Sequence, residues 1–139
     1  MGRCAQEANP SGKFMAKKHS PRFLAIVEAA RSEIGECEAP DLRAMMDDGE
    51  PLVVIDVRER YEFEAGHLEG AVHIGKGVLE RDIEKQELAD DVRLVLYCGG
   101  GFRSAIAAKS LQDMGYSNVI SLWGGWRGIL EEGLPIWTP

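Results

Sequence analysis

The sequence predicts one α/β domain whose parallel sheet is covered on both faces. Three observations carry this. Leu52-Val53-Val54-Ile55 is a continuous apolar run rather than an alternating one, as expected of a parallel strand buried on both sides. Leu94-Val95-Leu96-Tyr97 is a second such run, and it leads through a glycine-rich turn into a helical pattern. The chain has 139 residues and 45% apolar content, enough for one domain with a core.

The elements follow in order. Residues 1–20 are polar and small and read as an N-terminal arm. Ser20-Pro21 reads as an N-cap with proline at the first helical position. Phe23, Leu24, Ile26, Val27, Ala30 and Ile34 then recur at helical spacing, so residues 21–35 hold an extra N-terminal helix. It suits either packing on the sheet or a dimer contact, and packing is preferred. Gly35 to Ala39 holds a short edge strand. Pro40 to Met46 is a helix ended by Asp47-Asp48-Gly49. Leu52 to Ile55 is the strand already named. Tyr61 to Ala65 makes a helical turn, Gly66 to Gly70 a loop, and Ala71 to Ile74 a short strand. Gly75-Lys76-Gly77 turns the chain. Val78 to Ala89 carries Val78, Leu79, Ile83 and Leu88 among many charges and reads as a surface helix or two short ones, the charge run being a solvated face. Arg93 to Tyr97 is a strand, Arg103 to Met114 a helix capped by Gly115, and Asn118 to Leu122 a strand. Trp123 to Gly128 is a loop before a short helix to Glu132.

The stretch richest in chemistry is Cys98-Gly99-Gly100-Gly101-Phe102-Arg103-Ser104. A cysteine stands where a buried strand ends. Three glycines let the backbone curl and gather N–H groups toward one centre. A helix starts near Arg103 and aims its positive end at the same place. Such surroundings favour a thiolate. A plain strand-to-helix connection needs no such run, so Cys98 is the candidate nucleophile.

Composition sets bounds. The net charge of −7 argues against nucleic acid as a partner, and an anion site must therefore be local. Cys4, Cys37 and Cys98 are odd in number and widely spaced, which fits neither a disulfide framework nor a zinc site. A reducing, cytoplasmic location is expected. No apolar stretch approaches membrane-spanning length, so no membrane partner is expected, and the N-terminus has no signal-peptide core. His67 and His73 are expected to bond backbone rather than to serve as bases.

With these residues in view, Cys98 to Ser104 resembles the active-site loop of the rhodanese family of sulfurtransferases. Asp56-Val57-Arg58-Glu59 is similar to the family's strand-end motif. Glu62-Phe63 with Gly66 to Ile74 is similar to its second block, and Gly124-Gly125-Trp126 to its C-terminal block. The resemblance covers about residues 36–138 and assigns 36–139 to a rhodanese-like domain. It implies a three-layer fold, a small central parallel sheet flanked by helices on both faces. It implies that Cys98 is catalytic and that Gly99, Gly100, Gly101, Phe102, Arg103 and Ser104 bind substrate or persulfide. The expected donor is thiosulfate or a persulfide; the acceptor is a small thiol, cyanide or a protein thiol. No cofactor or metal is expected.

Asp56 and Arg58 are expected to support the loop, because a carboxylate beside the sulfur would repel an anion; substrate contact is the alternative. Arg58 or Arg103 is expected to pair with an acid of the Asp56–Glu59 motif. Arg103 suits both bracing and substrate contact, and Ser104 suits a helix cap or donation to sulfur. Trp123 and Lys76 are candidate pocket-rim residues. Phe102 departs from the polar or small residues common at its position and suits either narrowing of access or contact with a protein acceptor. Four residues separate Cys98 from Arg103. Superfamily phosphatases that this loop type resembles have five, so the shorter loop favours sulfur over phosphate or arsenate. A carrier or docking module with little thiosulfate activity is the other alternative.

Overall fold

The computed structural model describes residues 19–139; the expected arm lies almost wholly outside the described residues, as does Cys4. Helix α1 (Pro21–Arg31) opens the described chain. Strand β1 (Gly35–Cys37), helix α2 (Ala39–Asp47), strand β2 (Leu52–Asp56) and helix α3 (Arg60–Ala65) follow. Strands β3 (His67–Leu68) and β4 (Val72–His73) precede a 3₁₀ turn (Lys76–Val78), helix α4 (Leu79–Asp82) and a second 3₁₀ turn (Ile83–Gln86). The remainder is β5 (Arg93–Tyr97), α5 (Phe102–Asp113), β6 (Val119–Leu122), α6 (Gly125–Glu132) and β7 (Ile136–Trp137).

Five strands form a parallel sheet in the order β1-β6-β5-β2-β4. The two apolar runs lie side by side, Leu52 beside Arg93 through Asp56 beside Tyr97. Their residues divide between two cores by strand alternation. Ile55, Leu94 and Leu96 pack with Leu79, Ile83 and the α5 residues Ala107, Ala108 and Leu111. Val54, Val95 and Tyr97 pack on the opposite face with Leu42 of α2 and Ile129 of α6. The expected three-layer α/β architecture is therefore the one observed. It places Cys98 at the C-terminal edge of the central strand, where ligand sites collect in sheets of this kind.

Several local expectations need correction. Ser20 makes no side-chain cap. The Gly66–Gly70 loop contains β3, which pairs antiparallel with β7. The 78–89 segment is not only a solvated face, since Leu79 and Ile83 are fully buried. Helix α6 begins at Gly125, inside the expected 123–128 loop. Helix α1 packs on α5 rather than on the sheet, with Val27 and Ala30 against Ala105.

Candidate active site

Cys98 follows β5 directly and is 1% exposed. Its Sγ accepts the N–H of Gly101 at 3.1 Å and that of Ser104 at 3.4 Å, and Ser104 Oγ lies 3.5 Å away. Ser104 is itself buried and shares a 2.8 Å hydrogen bond with Ser121 Oγ on β6. Sulfur, first hydroxyl and second hydroxyl thus form a short buried chain.

The shape of the loop follows from where its carbonyls go. Gly124 N–H donates to Gly100 O at 3.0 Å, Trp126 N–H to Cys98 O at 2.8 Å, and Arg127 N–H to Gly99 O at 3.3 Å. Three consecutive loop carbonyls are thereby tied to the start of α6, whose first N–H groups lack partners within the helix. A trans peptide is planar, so each carbonyl fixes the N–H of the next residue on the opposite side. The N–H groups of Gly99, Gly100 and Gly101 therefore turn away from α6, and the last of them reaches Sγ. Close approach requires glycine on both sides. Gly125 sits at φ +49°, and a Cβ there would meet Cys98 O, with Gly99 C at 2.8 Å and Gly99 O at 2.9 Å. Gly101 sits at φ +112°, and a Cβ there would lie 2.9 Å from the Trp123 ring.

Arg103 pairs with Glu62, at 2.9 Å and 3.3 Å. Burial alone would lower its pKa, but the bond to Glu62 and the nearby Cys98 sulfur raise it. Burial likewise pushes Glu62 upward, and the Arg103 bond with the Glu59 N–H at 2.9 Å outweighs this and holds it low. Arg103 thus does not pair with the Asp56–Glu59 motif. Glu62 was not singled out for this role; its place three residues after Glu59, the spacing of a capping box, is the signal that finds it.

Arg58 does pair with Asp56, at 2.7 Å, and both are buried. Desolvation pulls the Arg58 pKa down, but Asp56 raises it overall. The pair braces a neighbour of the Cys98 loop rather than the loop itself. Arg58 Nη2 donates to Gly66 O at 2.7 Å, and its guanidinium lies 4.8 Å from the Trp126 ring centre.

Phe102 is half-buried and packs with aromatic neighbours. Its ring centre lies 4.5 Å from that of His19 and 5.5 Å from that of Trp123. Trp123 is half-buried behind Gly101. Trp126, with Arg58, Tyr61, Glu62, Ala65 and Gly66, lines a pocket of about 250 Å³ beside the Arg103–Glu62 pair. Lys76 lies on the turn after β4, two strands from β5. Both histidines bond backbone: His67 Nδ1 with Phe63 O and His73 Nε2 with Arg58 O, each at 2.8 Å. Burial, then Asp41, pushes the Cys37 thiol up to about 12.

Residues 38–132 match the model of the rhodanese-like domain. The chain belongs to the rhodanese-like domain family. Among curated relatives, it is 34% identical over 114 residues to a tRNA uridine(34) hydroxylase of Cronobacter sakazakii. That match covers 76% of this chain but 32% of the relative, so the chain spans about a third of that relative's length. The polysulfide-sulfur transferase homodimer of Wolinella succinogenes superposes with a TM-score of 0.72 at 29% identity, covering 91% of each chain. A Rhodopseudomonas palustris protein of unknown function, possible tyrosine phosphatase, gives 0.77 at 30% identity, covering 88% of this chain and 98% of the other. This rhodanese-like domain thus has sulfurtransferases among its structural relatives. Among the described residues, no helix is long and apolar enough to cross a membrane.

Proposed function

We infer that this rhodanese-like domain is a sulfurtransferase working through a persulfide on Cys98, with thiosulfate or a persulfide as donor. The observation that carries this is the cradle around one sulfur: Gly101 N–H, Ser104 N–H and Ser104 Oγ all within 3.5 Å of Sγ. The Cys98 thiolate attacks the outer sulfur of thiosulfate. A new S–S bond forms, the old one breaks, and its electron pair leaves with sulfite. Sulfite leaves without protonation, so no general acid is required. The terminal sulfur then carries the negative charge, and the outward N–H groups of Gly99 and Gly100 are placed to meet it. A thiol, or cyanide giving thiocyanate, takes this sulfur and returns the thiolate. Arg103 holds the loop through Glu62 and keeps a positive charge beside the sulfur. Asp56 and Arg58 support the floor of the neighbouring pocket. A reducing, cytoplasmic setting suits a thiol that must stay free.

A uridine-directed role is the second reading, favoured by the 34% identity to the tRNA uridine(34) hydroxylase and opposed by the net charge of −7. Incubating the reduced protein with thiosulfate, followed by intact and peptide mass spectra, tests the first reading. One added sulfur on Cys98, absent in Cys98→Ala and removed by cyanide as thiocyanate, is the expected result. An unmodified Cys98 overturns thiosulfate as donor. Failure with a persulfide donor as well would leave the uridine and phosphatase assays.

A further inference from the structure

Arg31, the last residue of α1, lies outside residues 38–132, which match the family model. Its position at the end of a helix suggests a solvated charge, yet the side chain is only 3% exposed. It is held by Glu36 of β1, Nε and Nη2 donating to the two carboxylate oxygens at 2.7 Å and 2.8 Å. The guanidinium carbon sits 3.5 Å from the Trp123 ring centre, the distance of a plane laid flat on an indole. Nη1 has no hydrogen-bond acceptor among the described residues, and the Glu28 carboxylate stands 3.7 Å from it. An arginine left with an unbonded buried nitrogen is not placed there for its hydrogen bonds alone. What the geometry does secure is the face of Trp123.

Trp123 in turn backs Gly101. The indole is so close that a Cβ on Gly101 would lie 2.9 Å from Cε3 and 3.2 Å from the Trp123 Cα. Gly101 supplies the shorter of the two N–H bonds to Sγ. Helix α1 and His19, two residues before it, also grip the next loop residue, since the Phe102 ring meets those of His19 and Phe23. The line Glu36–Arg31–Trp123–Gly101–Sγ is therefore continuous, and every link is a contact already described.

We propose that Arg31 is a positioning residue for the catalytic loop, clamping Trp123 against Gly101 and so holding the Gly101 N–H on the Cys98 sulfur. This gives the helix outside the family segment a role in the site, and it rests on reading Cys98 as the reactive thiol. The test is the alkylation rate of Cys98 by iodoacetamide at neutral pH, read by peptide mapping, with the ultraviolet thiolate absorbance against a Cys98→Ala blank. Losing a whole hydrogen bond to a charged sulfur costs roughly tenfold; a loosened one is expected to slow alkylation roughly threefold in Arg31→Ala. Arg31→Lys keeps a charge for Glu36 but has no plane to lay on the indole. It should be slowed similarly, with its melting temperature close to that of the unmodified sequence. In a Trp123→Ala background, Arg31→Ala should add nothing. Wild-type alkylation and absorbance in both Arg31 variants overturn the proposal, as does an Arg31→Ala effect that persists in full without Trp123. If thiosulfate fails to load Cys98 in the unmodified sequence, the sulfurtransferase reading falls, while the alkylation series still decides the role of Arg31.

Discussion

Gly125→Ala is the sharpest probe of how the cradle is made. The residue has φ +49°, and an added Cβ would press on Cys98 O and the Gly99 carbonyl. Two costs follow. An alanine in the left-handed region costs about 1 kcal/mol. Forcing a methyl into filled space costs about 1–3 kcal/mol more. The sum, about 2–4 kcal/mol, is less than the roughly 5–15 kcal/mol stability of typical domains, so the variant should fold. At about 3 °C per kcal/mol for a chain of this size, its melting temperature should fall by about 6–12 °C. Relief is possible only if α6 or the loop gives way, and either movement frees the carbonyls and turns the N–H groups off the sulfur. Cys98 alkylation should therefore slow as well. Gly49→Ala is the control, because Gly49 has φ +70° with nothing within 4 Å of its added Cβ. It should lose about 1 kcal/mol and leave Cys98 unchanged. If Gly125→Ala melts with Gly49→Ala and alkylates at the wild-type rate, the loop is not seated on α6 as described.

Three further outcomes are expected. Ser121→Ala removes the outer hydroxyl of the buried chain; when Ser104 donates to the sulfur, its oxygen accepts from Ser121. Alkylation of Cys98 should slow about twofold, and a Ser104→Ala background should abolish the difference. Glu62→Gln should lower stability by about 1 kcal/mol or less near neutral pH. Because the Glu62 pKa is held low in the folded chain, the contribution of the pair is present above the ordinary carboxylate pKa and is lost as pH falls through the lowered value. Melting curves of Glu62→Gln and the unmodified sequence should therefore converge in acid. Cys37, with its thiol pushed up to about 12, should stay unalkylated under conditions that label Cys98; labelling of both at similar rates would refute the burial argument.

The sequence revealed what local pattern controls. The runs at 52–55 and 94–97 were readable because two-sided burial leaves an unbroken apolar signature, and Cys98 stood out because no ordinary turn needs three glycines. Strands β3 and β7 were unreadable, being two residues each and paired across almost seventy positions of sequence. Gly124 and Gly125 suggested a loop because glycine disfavours helices, whereas Gly124 is there for its φ of +93° and Gly125 for the nearness of the Cys98–Gly99 backbone. Arg31 and Ser121 carry ordinary side chains at ordinary positions. Only tertiary packing brings them to the site, and a single sequence does not disclose that.

The three carbonyls tied to α6 have a consequence for the timing of the reaction. A binding loop that must close over its substrate makes turnover answerable to its own motion, and such an enzyme slows when the solvent is thickened. Here the peptide planes are already locked, and on the sulfurtransferase reading proposed above an arriving sulfur finds its donors aimed before it lands. The ordering cost was met during folding, not at each encounter. The pace of such a site is set by nucleophile and leaving group, and small viscogens should leave its bond-making step untouched.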